Sequence, residues 1–264
     1  AVQRYGIPLH VFIAMSNHQH LVVRDNHGHV PEVLAQLHKM IAKAMNALRG
    51  RWENFWATEQ PNAVYLVEPA DRFAKLVYLL ANPVADHLVE RVSDWPGACS
   101  LGLQLSGRTK TVKRPPGFFR TNGSMPGEVT LRVERPEGFE SLTDAEWTAK
   151  LEAAVRAEET RARKERLENG TSVVGRKAVL RAAPTDAPRT LEPRRRLRPC
   201  LACLDSTRRI HELALLSEFR RARDIARRNH LAAVRDVLFP YGTYRVRGFF
   251  LVAPPPTAAL ALSA

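Results

Sequence analysis

Two histidines in the segment MSNHQHLVV, His18 and His20, are separated by a single residue. In a β-strand, residues i and i+2 point to the same face, so the two imidazole rings would lie side by side. Two neutral imidazoles at that spacing can bind one divalent metal ion, each through one nitrogen. The H-x-H pattern is weak by itself, so the prediction of a metal site depends on what else the chain brings to it.

A tyrosine and an asparagine that suit the same chemistry, Tyr78 and Asn82, occur in the later segment KLVYLLANPV. Residues i and i+4 of a helix share a face, and an amide oxygen is a suitable ligand for Mg²⁺ or Mn²⁺. A tyrosine hydroxyl beside a cation that polarises a phosphate can attack phosphorus and form a covalent phosphotyrosine. The alternative is that Tyr78 packs in a core and Asn82 caps a helix before Pro83, which leaves the histidines without a role.

The elements that would position these residues are short strands and helices with clear boundaries. Residues 8–15 and 18–24 predict a tight hairpin around a turn at Ser16–Asn17. A helix is expected from Pro31 to about Leu48, ended by Gly50, and a short strand at 63–68. The tyrosine helix is predicted from Asp71 to about Ala81, ended by the Asn82–Pro83 pair, since proline disfavours helix in the preceding residue.

The rest of the chain alternates basic linkers with charged helices. Residues 105–128 concentrate Gly, Pro and Lys/Arg without periodicity, which predicts a linker or extended basic segment. A long helix is predicted from a capping box at Thr143 and Glu146 to a stop at Asn169–Gly170. A second Pro/Arg linker at 181–199, a helix at about 206–229 and a closing strand at 243–252 complete the prediction.

The net charge of +13 is placed entirely after residue 100, because the first 100 residues hold nine basic and nine acidic side chains. A neutral first part and a basic second part predict chemistry in one and binding of a polyanion in the other. The alternative is a solvated, arginine-rich surface without a nucleic-acid partner. The predicted DNA contacts lie in GRTKTVKRPPGFFR and in a later arginine cluster: Arg108, Lys110, Lys113, Arg114, Phe118, Phe119, Arg120, Arg194, Arg195 and Arg196.

The compartment and the membrane status follow from cysteine usage and hydropathy. Three cysteines, Cys99, Cys200 and Cys203, are too few for a disulfide framework and indicate a reducing cytoplasm. No apolar run approaches the roughly 20 residues that a membrane helix needs, so no membrane partner is expected. Because the chain opens AVQRYGIPLH, we expect it to begin partway into a domain.

Over about residues 5–100, the segments MSNHQHLVV, YLLANPV and VSDWP together resemble the REP-associated tyrosine transposases, which are single-tyrosine HUH enzymes. The resemblance implies that His18 and His20 are the metal pair, Tyr78 the nucleophile and Asn82 the third ligand, with Mg²⁺ or Mn²⁺ as cofactor. It also implies an α+β fold with an antiparallel sheet flanked by helices, a HUH or ferredoxin-like domain lacking its first strand and most of its first helix. A mainly helical basic region would follow it.

The expected organisation is a catalytic domain at 1–104, a basic linker at 105–142, a helical accessory region at 143–252 and a tail at 253–264. The expected function is metal-dependent cleavage and strand transfer of single-stranded or hairpin DNA through a 5′-phosphotyrosine, by a monomer or homodimer. Three alternatives stay open: another HUH nicking enzyme, a domesticated DNA-binding protein without catalysis, and a protein that binds no nucleic acid.

Two local features qualify this expectation. Tyr5, Tyr65, Tyr241 and Tyr244 are weaker nucleophile candidates, because none is followed four residues later by a side chain suited to a metal. In the HUH superfamily the residue between the two histidines is usually hydrophobic, whereas in this chain it is Gln19. A buried glutamine without partners costs about 1–3 kcal/mol, so we expect either a polar neighbour or a less buried strand face.

Overall fold

A computed structural model describes residues 1–120, 122–183, 186, 198–243 and 252–253 of the chain. The described part is mixed α/β, with helices and small two-stranded sheets. The strands are β1 Leu9–Ala14, β2 Gln19–Val23, β3 Tyr65–Leu66, β4 Thr109–Lys113, β5 Glu128–Arg132, β6 Leu201–Ala202, β7 Val237–Leu238 and β8 Val252–Ala253. The α-helices are α1 Val30–Arg49, α2 Pro69–Ala85, α3 Leu101–Leu105, α4 Asp144–Glu168, α5 Arg176–Arg181 and α6 Ser206–Leu231.

The chain divides into two compact units. The first combines residues 1–7, 25–67 and 199–264, and the second, which contains the candidate site, combines residues 8–24 and 68–198. These boundaries cut across the order of the sequence, because each unit gathers segments from distant parts of the chain.

The second unit is built on the β1–β2 hairpin, as the sequence predicts. The strands pair antiparallel, with Ile13 opposite His20 and Ala14 opposite Gln19. A two-residue turn joins them, closed by the Met15 N–H, which donates to the His18 carbonyl at 2.8 Å. The register shifts near the start of β1, where one extra residue lies between Leu9 and Val11.

The other edge of β1 is covered by the segment around residues 95–100. The Ala14 N–H donates to the Ala98 carbonyl, and the Ser100 N–H donates to the Phe12 carbonyl. The Trp95 indole N–H donates to the Ala14 carbonyl at 2.9 Å. A Cβ at Gly97 would collide with Trp95 and with Ala14, so only glycine allows this close approach. Because both edges of β1 are satisfied, the strand that leads into the histidine turn is held from both sides.

Helix α2 packs against β1 and is longer than the sequence predicts. It begins after Glu68, whose capping box with Asp71 satisfies the first turn, and it continues through Pro83 to Ala85. The prediction of an end at Asn82–Pro83 is therefore wrong. An interior proline removes one helical hydrogen bond and costs about 3 kcal/mol, whereas the complete burial of Val84 and Pro83 offsets that cost.

Helix α4 packs against α2 and closes the core of the second unit. Its predicted capping box is confirmed, with Thr143 accepting from the Glu146 N–H, and the helix ends at Glu168 before Asn169. Trp147 and Leu151 are fully buried, and the Trp147 ring lies 5.8 Å from the ring of Phe73 on α2. Because one face of α2 packs against α4, the rotation of α2 about its own axis is fixed, and so is the direction of its other faces.

The segment at 105–128, predicted as a linker or extended basic segment, contains strand β4 and the loop that joins it to β5 in a two-stranded ribbon. Strands β4 and β5 pair antiparallel, and all of their residues are exposed except Leu131, which is half-buried. Strand propensity is visible in the β-branched Thr109, Thr111 and Val112 of β4, but a strand exposed on both faces lacks the hydrophobic alternation by which strands are predicted.

The first unit contains two predicted helices. Helix α1 ends at Gly50, whose φ of 60° is the left-handed conformation expected of a glycine cap. Helix α6 covers the predicted range and is capped by Asp205. Strand β3 pairs parallel with β6, and β7 pairs parallel with β8. These two parallel pairs were not part of the predicted antiparallel sheet. Of the predicted closing strand, residues 244–251 lie outside the described part.

Candidate functional site

The two histidines lie side by side, as their spacing predicts. His18 is at the turn of the β1–β2 hairpin and His20 is the second residue of β2. Their ring centroids are 4.8 Å apart and the rings meet edge to face. Imidazole nitrogens bind divalent ions at about 2.0–2.1 Å, so two rings at this separation can share one ion.

Asn17 orients the first histidine. Its side-chain oxygen lies 2.7 Å from Nδ1 of His18, so Nδ1 carries the proton and donates to it. In that tautomer Nε2 of His18 keeps its lone pair and is free to bind a metal. The sequence predicts Asn17 only as a turn residue, and its position directly before a candidate ligand is the signal for this further role.

Burial and neighbouring charges keep both imidazoles neutral. Burial, together with the smaller effects of the neighbouring His18 and Lys75, lowers the pKa of His20 to about 4. The ring of His18 is also partly buried, which lowers its pKa, while the Asp86 carboxylate acts in the opposite direction. Because a metal binds the neutral form of imidazole, both rings are in the binding form at neutral pH.

One face of α2 and its C-terminal cap carry four polar residues: Lys75, Tyr78, Asn82 and Asp86. Their spacing of three or four residues per step places them in one row along the helix. The charge of Lys75 acts on His20 and that of Asp86 acts on His18, so these two members of the row are electrostatically coupled to the histidines. Neither Lys75 nor Asp86 was singled out from the sequence, because only the packing of α2 on β1 brings them here.

Tyr78 is accessible and lies next to a cation. The Tyr78 residue is 51% exposed, which excludes the alternative in which its side chain packs in a core. The Lys75 ammonium nitrogen lies 4.3 Å from the centroid of the Tyr78 ring. An exposed phenol with an ammonium beside it can reach a macromolecular substrate, and negative charge that forms on the phenolic oxygen or on a nearby phosphate is stabilised there.

Asn82 is buried inside α2 and cannot be the helix cap of the alternative interpretation. It is 5% exposed, and its side-chain oxygen Oδ1 has no hydrogen-bond partner among the described residues. A buried carbonyl oxygen without a donor costs about 1–3 kcal/mol. A cation supplies what this oxygen lacks, so the chemistry of the residues present fits a divalent ion.

The candidate ligand set is therefore two imidazole nitrogens and one amide oxygen. Within the described part of the chain, no group of three or more His, Cys, Asp or Glu side chains clusters as a metal site. Two nitrogens and a hard oxygen leave coordination positions for phosphate oxygens and water around Mg²⁺ or Mn²⁺. Of the predicted site residues, the structure brings His18 and His20 together, and it places Tyr78 and Asn82 on α2, the helix that packs against β1 of the same hairpin.

Gln19 lies on the opposite face of β2 from the histidines. The residue is half-buried, as are Phe12 and Leu21 on the two strands, whereas Val11 and Val22 are buried. This face is therefore the less buried one, which is one of the two situations expected for a polar residue here. The Gln19 amide nitrogen itself has no partner among the described residues.

The predicted DNA-binding residues separate into three groups. Lys110 and Lys113 are exposed on β4, and Phe118 and Arg120 are exposed and Phe119 is half-buried in the loop that follows it. Two arginines have structural partners: Arg108 pairs with Asp144, and Arg114 donates to the Met125 carbonyl. The cluster Arg194, Arg195 and Arg196 lies outside the described residues.

In the described ranges, none of the helices is long and apolar enough to cross a membrane. Comparison with known proteins gives no match to a protein family, a curated protein or a solved structure.

Proposed function

We propose that this protein is a transposase that cleaves and joins single-stranded DNA beside a hairpin, with Tyr78 as nucleophile and a Mg²⁺ or Mn²⁺ ion held by His18, His20 and Asn82. The observation that carries the proposal is the buried Oδ1 of Asn82, which lacks a partner one helical turn from an exposed tyrosine. The family resemblance of the motifs supports the same assignment.

In the proposed reaction the Tyr78 hydroxyl attacks a DNA phosphate and loses its proton. The bond from phosphorus to the 3′ oxygen breaks, and that oxygen takes up a proton and leaves as a 3′ hydroxyl. The 5′ phosphate stays on Tyr78 as a phosphotyrosine, which a 3′ hydroxyl from the same or another strand later attacks. One phosphodiester is conserved throughout, so the reaction needs no nucleotide cofactor.

The side chains of the chain have distinct parts in this reaction. The divalent ion, when bound, acts as a Lewis acid on the phosphate. Lys75 stabilises the negative charge that develops between the tyrosine oxygen and the phosphate. Asn17 holds His18 in the tautomer that binds metal.

The DNA partner is supported by charge. The excess of basic residues lies after residue 100, and the exposed Lys110 and Lys113 belong to the same compact unit as the site. A basic surface beside a phosphate-cleaving site favours a nucleic-acid substrate over a small phosphate ester. We further propose that the enzyme works in the cytoplasm.

The test is covalent trapping. A pool of end-labelled DNA hairpins with randomised single-stranded flanks is incubated with the full chain and Mn²⁺ or Mg²⁺, then separated on a denaturing gel. We expect a shifted protein–DNA band that EDTA abolishes and that Tyr78→Phe abolishes while hairpin binding persists. Tyr65→Phe is the matched control, since Tyr65 is 58% exposed on β3, and it should retain the band.

A folded wild-type chain that binds hairpins but never forms the band contradicts the enzyme and supports the domesticated DNA-binding protein. A chain with weak, salt-insensitive affinity for DNA contradicts both.

A further inference from the structure

The β4–β5 ribbon has two chemically different faces, neither of which is buried. One face carries Thr109, Thr111, Lys113, Glu128, Thr130 and Arg132, and the other carries Lys110, Val112, Val129 and Leu131. Thr111 and Thr130 lie directly opposite one another, with their hydroxyl oxygens 2.9 Å apart. The first face, here termed the polar face, therefore carries three threonine hydroxyls and two cations, with one carboxylate, Glu128, at the end opposite Lys113.

The ribbon is not explained by a role in a core. Val112 and Val129 are 43% and 42% exposed, and every other residue of β4 is exposed as well. An isolated two-stranded ribbon is marginally stable in water and brings no apolar burial to compensate. Two strands of the unit nevertheless form this ribbon, although it adds little to the core, which indicates a surface that binds a partner.

The root of the ribbon is held firmly. Arg108, directly before β4, makes two hydrogen bonds of 3.0 and 3.1 Å to the Asp144 carboxylate at the start of α4. Arg135, just after β5, also pairs with Asp144. The Val133 N–H donates to the Arg108 carbonyl at 2.8 Å, so the pairing continues past the strands. A fixed root with exposed strands presents the polar face in a defined orientation.

Charge identifies the kind of partner. Residues 109–132 hold five basic side chains and one acidic side chain. Among the described residues, no carboxylate forms an ion pair with Lys110, Lys113 or Arg132. Lys113 and Arg132 on the polar face, next to its threonine hydroxyls, complement a polyanion that also offers hydrogen-bonding edges, and Lys110 adds a third cation on the other face.

We propose that the β4–β5 ribbon binds the double-stranded stem of hairpin DNA, with its polar face in the major groove. The choice of a hairpin stem as partner rests on the proposed function. The major groove of B-form DNA is about 12 Å wide and admits a two-stranded ribbon, where threonine, lysine and arginine can reach base edges and phosphates. The deep, narrow major groove of double-stranded RNA does not admit it.

The ribbon and the candidate site belong to one unit and are connected through β1. The Glu134 N–H, two residues after β5, donates to the Leu9 carbonyl at the start of β1, and Ala14 at its other end faces Gln19. Six strand residues span about 17 Å, which corresponds to roughly five base pairs of duplex. A stem held by the ribbon is thus held within reach of a tyrosine that acts on its single-stranded flank.

The test compares binding of duplex and single-stranded DNA by the full chain, measured by fluorescence anisotropy. The ribbon variant is Lys113→Ala with Arg132→Ala, and the control is Arg163→Ala, an exposed arginine on α4 of the same unit. We expect the ribbon variant to bind a DNA hairpin stem at least about tenfold more weakly, with a smaller salt dependence of the affinity. Its affinity for unstructured single-stranded DNA should change less than about twofold, and the control should match the wild type in both.

An equal loss for stem and single strand overturns the proposal, as does an unchanged affinity for the stem. Equal loss for an RNA hairpin of the same sequence would also overturn it, and so would a change in oligomeric state that accounts for the weaker binding. Covalent trapping by the wild type is read separately. Ribbon-dependent stem binding without any covalent band leaves this inference standing while the transposase proposal fails.

Discussion

Replacing Asn82 by leucine should raise the stability of the metal-free protein and lower its response to metal. Asn82 is 5% exposed in the middle of α2, and its Oδ1 has no hydrogen-bond partner among the described residues. Leucine has a similar size and no polar atoms, so Asn82→Leu removes the unsatisfied group with little change in volume.

The size of the stabilisation follows from the group removed. Leaving a buried carbonyl oxygen without a donor costs about 1–3 kcal/mol, and leucine is also the better helix former by a few tenths of a kcal/mol. The free energy of unfolding should therefore rise by about 1–3 kcal/mol. For a chain of this size, that corresponds to an increase in Tm of roughly 3 to 9 °C.

The response to metal should change in the opposite direction. At an Mn²⁺ concentration one hundred times its Kd, binding stabilises the wild type by about 2.7 kcal/mol. A loss of affinity of about 50-fold, from removal of one of three protein ligands, would reduce that stabilisation to roughly 0.6 kcal/mol at the same concentration. A single substitution thus raises one quantity and lowers the other.

The assay is thermal unfolding of the full-length wild type and variants in EDTA and across a titration of Mn²⁺. Gln104→Leu is the matched control, because Gln104 is also a buried amide but is hydrogen-bonded to the His10 carbonyl and to the Trp147 indole. That control should lower the Tm and leave the Mn²⁺ response unchanged. If Asn82→Leu lowers the Tm in EDTA, or keeps the full response to Mn²⁺, the assignment of Asn82 as a ligand is refuted.

Three further outcomes follow from the same geometry. Asn17→Ala should weaken Mn²⁺ binding by about 10- to 100-fold in calorimetry, because His18 loses the partner that orients it. Lys75→Gln should slow formation of the covalent band by about tenfold or more in single-turnover experiments, because a cation beside Tyr78 is lost; an unchanged rate would remove Lys75 from the mechanism. Burial lowers the pKa of His10 in the folded protein. As the pH falls, the His10 imidazole of the unfolded chain therefore takes up a proton at a higher pH than that of the folded chain. Stability should therefore fall as pH drops below about 6.5, by up to about 1.4 kcal/mol per pH unit for each such histidine, and His10→Asn should flatten this dependence in denaturant titrations at pH 7.5, 6 and 5.

The sequence alone predicts those turns and helix ends whose backbone groups are satisfied by residues nearby in the sequence. The turn at Ser16–Asn17, the glycine cap at Gly50 and the capping box at Thr143 each satisfy backbone groups through neighbours in sequence. Such elements can be predicted without knowing the tertiary structure.

The errors arose where tertiary packing outweighs local preference. Pro83 disfavours helix in isolation, yet α2 continues because Val84 is fully buried. The β4–β5 ribbon lacks a buried face, so its strands cannot be predicted from hydrophobic periodicity. The loop of 14 residues between them is too long to indicate a hairpin, so their pairing cannot be predicted either.

The candidate site divides in the same way. The spacing of His18 and His20, and of Tyr78 and Asn82, predicted two pairs of residues on two elements. It could not predict that Lys75 and Asp86 act on the histidines, since these effects arise only when α2 packs on the hairpin. Nor could it show that the Asn82 oxygen lacks a donor, because that depends on every neighbouring side chain.

The unsatisfied oxygen of Asn82 also weighs between the enzyme and a DNA-binding protein that has lost catalysis. Folded proteins are stable by only about 5–15 kcal/mol, so a cost of about 1–3 kcal/mol is a substantial fraction of the total. A protein that uses only its basic surface gains nothing from this group, and many apolar residues at position 82 would remove the cost. An enzyme that binds a cation between His18, His20 and Asn82 recovers the cost whenever the ion is present. The retention of a buried amide next to an exposed tyrosine therefore favours the catalytic interpretation, since destabilised groups of this kind concentrate where function requires them.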